Sequence, residues 1–214
     1  MMLTEDTPLP AEALPLAAFR AHLHLGTGFA EAGLQDDLLG GFLRAAMAAI
    51  EARTGKILLE RAFTLEVSRW AAPNAQPLSM APVKVITELV LRDPQGVETV
   101  VMPTRWYLEP DLQRPLLRAA GGVLPAIPAG GRAVVRLRAG MAADWQTLPA
   151  DLAQAVLMLA AHFYEYRQET GLGRGCMPFG VTSLIERYRG LRLSLGLSPG
   201  GHGPVNLSSG GGFL

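Results

Sequence analysis

The apolar period changes twice along this chain, and that change constrains the fold more than any other feature. From about 34 to 53, Leu34, Leu38, Phe42, Ala46 and Ile50 recur every fourth residue, with Leu39, Leu43 and Met47 broadening the stripe. That spacing marks one face of an amphipathic helix. Between 57 and 69 the period drops to two, Phe63, Leu65 and Val67 alternating with Thr64, Glu66 and Ser68, as in a half-buried strand. From about 149 to 169 the helical spacing returns in Leu152, Val156, Leu159, Phe163 and Tyr166. One element cannot carry both periods, so the chain reads as α+β with the β part inserted between helices.

Local signals fill in the order. Pro15 to Leu23 reads as a short helix with Leu16, Phe19 and Leu23 on one face, ended by Gly26-Thr27-Gly28. Asp36 and Asp37 are expected in the first turn of the long helix and Arg53 in its last, each matching the dipole there, with Gly55 as a left-handed cap. Gly40 and Gly41 weaken that helix by about 1 kcal/mol each relative to Ala, which points to a close helix contact. In the middle, Val83 to Arg92 is a strand, Asp93-Pro94-Gln95-Gly96 a turn, and Val97 to Val101 the returning hairpin partner. Residues 106–108, 116–118 and 133–138 are further strands of a small antiparallel sheet. Thr147 or Asp151 is expected to cap the helix at 149–169. Gly171 to Gly175 is a break, and Val181 to Arg189 a last short helix with Leu184, Ile185 and Tyr188 inward.

The expected organisation is therefore a flexible N-terminus (1–14), one domain (15–193) and a glycine-rich C-terminal tail (194–214). In the domain, helices at 15–55 and 148–190 form a bundle, two from each end, and 57–140 form the β insert. The tail holds seven glycines and no charge, so it cannot build a core of its own.

With 49% apolar residues among 214, the domain can bury a sizeable core. Net charge is zero, which removes the simplest argument for a nucleic-acid or polybasic membrane-surface binder. The charge is uneven, however. Residues 1–60 carry four basic and eight acidic side chains, 61–131 seven and six, and 132–214 eight and five. A subunit with an acidic end and a basic end can pair head to tail with copies of itself, although such asymmetry is also common on solvated surfaces. Cys176 is the one cysteine, so no intrachain disulfide is possible and a thiolate metal cluster is not expected. No apolar run is long enough to span a bilayer, and Glu5 and Asp6 stand where a secretory signal carries Lys or Arg. The expectation is a chain made and assembled in the cytoplasm.

A search for chemistry finds no catalytic constellation and nothing to hold a cofactor or metal. His22 and His24, two apart, diverge on a helix and cannot chelate one ion from the same face. His162 reads as an ordinary helix histidine. Asp36 and Asp37 diverge too, and a dipole-matching first turn explains them without acid–base chemistry. The glycines of 171–175 follow no strand and lack a phosphate-loop register, and Cys176 has no nearby His or second Cys. Arg132, Arg136 and Arg138 alternate on a strand, the pattern of one solvated face.

The order of segments resembles the head–tail connector, or adaptor, family of long-tailed phages. The likeness runs through Leu16-Ala17-Ala18-Phe19-Arg20-Ala21-His22-Leu23, then Asp36-Asp37-Leu38-Leu39, then Ile50-Glu51-Ala52-Arg53-Thr54-Gly55-Lys56. It continues in Phe63-Thr64-Leu65-Glu66-Val67 and Ala81-Pro82-Val83-Lys84-Val85-Ile86. It closes in the helix from Leu148-Pro149 to His162-Phe163-Tyr164-Glu165 and the segment from Pro178-Phe179-Gly180-Val181 to Tyr188-Arg189. These segments span about 15–192. The Ala/Arg-rich style is most similar to the adaptors of alphaproteobacterial gene transfer agents, which are tailed-phage-like particles.

The resemblance implies a structural subunit, typically one of twelve in a ring below the portal. Its partners would be copies of itself, the portal protein and the next neck or stopper protein, with double-stranded DNA passing transiently and non-specifically through the lumen. It implies no catalytic residue, no cofactor and no membrane. The place expected is the cytoplasm during assembly and afterwards the neck of a phage or gene transfer agent particle. The apolar residues of the tail, Leu195, Leu197, Val205, Leu207, Phe213 and Leu214, are the candidate portal-binding residues. The rival readings are another neck component, such as a stopper or tail-completion protein, and a non-enzymatic intracellular binding module.

Overall fold

A computed structural model describes residues 1–25, 32–167 and 177–189. Helix α1 is Leu16–His22, α2 is Ala32–Thr54, α3 is Ala150–Glu165 and α4 is Phe179–Ile185, the last continued by a 3-10 turn at Glu186–Tyr188. The seam of α2 that is buried consists of Leu39, Leu43, Ala46, Met47 and Ile50. It packs on Leu152, Val156, Leu159 and Ala160 of α3, with Phe19 of α1 and Val181 and Ile185 of α4 closing the core. Leu38, expected on the inward stripe, is instead 49% exposed. The sides of α2 that meet α1 and α3 are covered, and Leu38 lies just off that seam.

The helix ends differ from expectation in two places. α2 begins at Ala32, so Asp36 and Asp37 fall beyond its first turn; Asp36 accepts a hydrogen bond from Arg20 of α1 instead. Neither Thr147 nor Asp151 caps α3. Pro149 occupies the N-cap position without a side-chain bond, while Thr147 is engaged with Asp144 and the Asp151 carboxylate accepts from Tyr188 and Arg187. The Gly55 cap holds, with φ +69° and its N–H on the Glu51 carbonyl. Thr54 Oγ1 donates to the Ile50 carbonyl, satisfying another group at that end.

The insert is two antiparallel sheets rather than one. In the first, β1 (Met2–Glu5), β2 (Arg61–Val67), β8 (Arg132–Ala139), β4 (Val83–Arg92) and β5 (Glu98–Val100) lie in that spatial order. In the second the order is β3 (Ala75–Pro77), β7 (Leu116–Ala119), β6 (Trp106–Glu109). The expected hairpin is present: Gly96 N–H bonds Asp93, Asp93 N–H bonds Val97, and Val90 to Arg92 face Val100 to Glu98. Residues 1–14, expected to be loosely ordered, contain the edge strand β1, whose Thr4 faces Thr64 of β2. The odd-numbered face of the first sheet, Phe63, Leu65, Val67, Val135 and Leu137, meets Leu117 of the second in a separate apolar core.

Two chain crossings join insert to bundle. Residues 56–60 leave α2 beside residues 140–142, which return toward α3. Met141 and Ala142 N–H groups bond the carbonyls of Ile57 and Leu58, and Glu60 N–H bonds Ala142. A Cβ on Gly140 would lie 2.4 Å from the Cα of Glu60, so the crossings approach closely only because residue 140 has no side chain. Leu58 and Leu59 plug the bundle core from this side. The Glu51 carboxylate of α2 clamps the joint, accepting from Arg61 of β2 at 2.7 Å and from Leu58 N–H at 2.8 Å.

Candidate functional site: charged surfaces of insert and bundle

The even-numbered face of the first sheet is a lattice of ion pairs. Arg92 and Arg132 both reach Glu66, Arg92 and Arg136 both reach Glu98, Arg136 also reaches Glu88, and Arg138 reaches Glu60. Arg132, Arg136 and Arg138 are thus on one solvated face, as their alternation predicts, and each has a glutamate. The hydrogen bond from Arg92 is the main reason the Glu98 carboxyl sits below the usual carboxylate range. Four arginines meet four glutamates in this lattice, and the Asp6 carboxylate accepts from Thr64 beside it. Exposed pairs of this kind contribute little stability each; their stems cover Val90 and Val134, which are fully buried although on this side of the sheet.

A cleft of about 480 Å³ opens where α2 ends. Its walls come from four parts of the chain: Arg53 in the last turn of α2 with Lys56 just after it, Leu78 to Met80 after β3, Gln113 and Arg114 between β6 and β7, and Arg187 and Arg189 after α4. The Lys56 ammonium is drawn inward and donates to Gln113 Oε1 at 2.7 Å. Burial pushes its pKa down, and Asp111 offsets part of that effect. Arg187 is held by Asp151 at 2.8 Å and Arg189 by Glu186 at 2.8 Å. Arg53 and Arg114 are exposed, and among the described residues their guanidinium groups have no hydrogen-bond or ion-pair partner, with Asp111 near Arg114. The cleft therefore offers cation donors with spare capacity to an anionic group. Sequence reasoning missed it because its residues are far apart along the chain and only the fold brings them together.

The other candidates stay apart. His22 is half-buried at the end of α1, and exposed His24 follows it in the left-handed region with φ +55°. His162 lies against the Tyr166 ring, centroids 4.7 Å apart. No group of His, Cys, Asp or Glu able to hold a metal occurs among the described residues, and no described helix is long and apolar enough to cross a membrane. Cys176, the glycines of 171–175, and Leu195, Leu197, Val205, Leu207, Phe213 and Leu214 lie outside the described residues.

No known family profile matches the chain, and no curated protein does. Solved structures do. A chain in the neck of an empty GTA (gene transfer agent) particle, computed with C6 symmetry, is 50% identical with a TM-score of 0.83. A chain in the virion of the native GTA particle is 50% identical with a TM-score of 0.79. One in the neck of the native particle, computed with C12 symmetry, is 46% identical with a TM-score of 0.77. Each match covers 92% of this chain and 99% of the other. Identity of that level over nearly the whole length, on the same fold, makes the chain a member of the head–tail connector (adaptor) family, among the neck proteins of gene transfer agent particles.

Proposed function

We propose that the chain is the adaptor subunit of a phage-like particle, forming a ring that joins the portal to the tail neck and lets DNA pass through its lumen. The observation that carries this reading is the 46–50% identity, across 92% of the chain, to proteins of necks treated with C6 and C12 symmetry. Its role is structural, not enzymatic. Twelve copies is the number proposed, in line with the C12 neck. The balanced arginine–glutamate lattice fits a protein beside moving DNA, because paired arginines do not grip phosphates as a free basic track does. Assembly in the cytoplasm followed by residence in the particle neck completes the reading.

The proposal extends to partners. The tail at 194–214 docks on the portal through Leu195, Leu197, Val205, Leu207, Phe213 and Leu214, and the opposite side of the ring meets the next neck protein. Particles produced without this chain should accumulate as heads lacking tails; normally tailed particles would refute the function. Deleting 194–214 should leave thermal unfolding of the domain unchanged and weaken capture by purified portal. Unchanged capture would remove the tail from the account.

A further inference from the structure

Among the described residues of the helices and the cleft, the charges left without a partner differ in sign between the two ends of the bundle, while three further unpaired cations, Arg69, Lys84 and Arg105, stand on the insert. α2 and α3 run antiparallel: Phe42, near the middle of α2, meets Tyr164 at the end of α3 with ring centroids 5.9 Å apart, so the first half of α2 lies toward that end. At the other end Asp151, in the first turn of α3, binds Arg187 on the cleft wall. Asp37 and Arg53 are separated by about 24 Å along α2, at 1.5 Å per residue.

At the Phe42 end stand Glu12, Asp37 and Glu165, all exposed carboxylates without a hydrogen-bond or ion-pair partner among the described residues. Glu12 belongs there because Leu14, two residues on, packs beside Gly40. Of the cations at this end, Arg20 is paired with Asp36, whereas Arg44 and Arg167 are held on the neutral Leu9 and Tyr164 carbonyls and keep their charge, so the three carboxylates outnumber them by one. Between the carboxylates, Leu38 is 49% and Tyr166 42% exposed. At the cleft end the groups without an ion pair among the described residues are of opposite sign, Arg53 and Arg114, with Lys56 behind them on the Gln113 amide and the Asp111 carboxylate near both Lys56 and Arg114.

We infer that the carboxylate end of one subunit seats in the cationic cleft of the next, so that the ring closes head to tail through Glu12, Asp37 and Glu165 on one side and Arg53, Lys56 and Arg114 on the other. This rests on the ring reading above. A cyclic assembly needs two different, complementary patches on each subunit, and these two are opposite in sign at opposite ends of the bundle. The charges set register and steer encounter, while Leu38 and Tyr166 bring apolar contact. A helix end fits a hollow walled by four chain segments; a DNA duplex, a convex rod, does not enter one.

Charge reversal tests this on the full chain, alone and with its portal protein, with ring formation followed by native mass spectrometry. Arg53→Glu with Arg114→Glu should raise the concentration needed for assembly about tenfold or more, and so should Asp37→Lys with Glu165→Lys. All four together should recover assembly to within about twofold of wild type, because the reversed patches match again. These side chains are exposed and unpartnered, so unfolding curves should match wild type. Assembly of either pair at the wild-type concentration, or no recovery in the combined variant, would overturn the inference. So would loss of binding to a duplex oligonucleotide by the Arg53/Arg114 variant with assembly untouched, which would make the cleft a DNA site. A wild-type chain that forms no ring under either condition would instead refute the ring reading itself.

Discussion

Replacing Glu51 by Ala probes the joint between bundle and insert. Its carboxylate receives two Arg61 contacts, at 2.8 and 2.7 Å, and the Leu58 N–H at 2.8 Å. The two side chains are only 13% and 11% exposed, and Arg61 Nε already has no partner. Removing Glu51 leaves a largely buried guanidinium with Glu5, 3.5 Å away and more exposed, as its remaining carboxylate. Breaking one side of a buried pair costs about 3–5 kcal/mol, and the surviving Glu5 contact places this case near 3. For a chain of this size that lowers Tm by about 6–12 °C. Adding Arg61→Met removes the stranded charge, though also its stacking over Phe63 at 5.6 Å. The double variant should therefore regain about half of the loss, leaving about 1–2 kcal/mol for the orphaned Leu58 N–H and the stacking. Urea unfolding followed by circular dichroism gives the double-mutant cycle directly. A single-variant loss below about 1 kcal/mol, or a double variant as damaged as the sum of the singles, would refute the argument.

Two further substitutions test other parts of the fold. Gly131→Ala places a Cβ 2.3 Å from the Arg92 carbonyl oxygen, in backbone that cannot yield cheaply, and should cost about 1–3 kcal/mol or more in thermal unfolding. Gly121→Ala, with nothing within 4 Å, should change stability by less than about 0.5 kcal/mol; equal effects of the two would contradict the close-approach reading. The depressed pKa of Lys56 means the folded state binds its proton less tightly than the unfolded chain does. That penalty is fully present at pH below the folded pKa and fades as pH rises toward the unfolded value near 10.4. The stability of wild type relative to Lys56→Met should accordingly rise through the alkaline range; a flat difference would contradict it.

The helices and the long strands were legible because burial imposes its period on the residues themselves. Phe63, Leu65 and Val67 all face the insert core, and the 93–96 turn was set by Pro94 and Gly96. Elements made by tertiary pairing were not. β1 has an exposed, mixed sequence and is a strand because β2 offers it an edge. β3 is three residues including Pro77, held by β7. Leu38 misled because a four-residue stripe on a long helix is wider than the seam its neighbours cover. The charge asymmetry between the first 60 residues and the rest was visible, yet most of those charges pair internally. Only the fold shows which of them are left over, and that those on the bundle differ in sign between its two ends.

The central claim is that this protein works as a ring. Native mass spectrometry of the full chain, alone and mixed with its portal protein, tests it most directly. The account predicts a complex of twelve copies of the 22.8 kDa chain, formed alone or on the portal. A chain that remains monomeric in both conditions and leaves the portal free would contradict it.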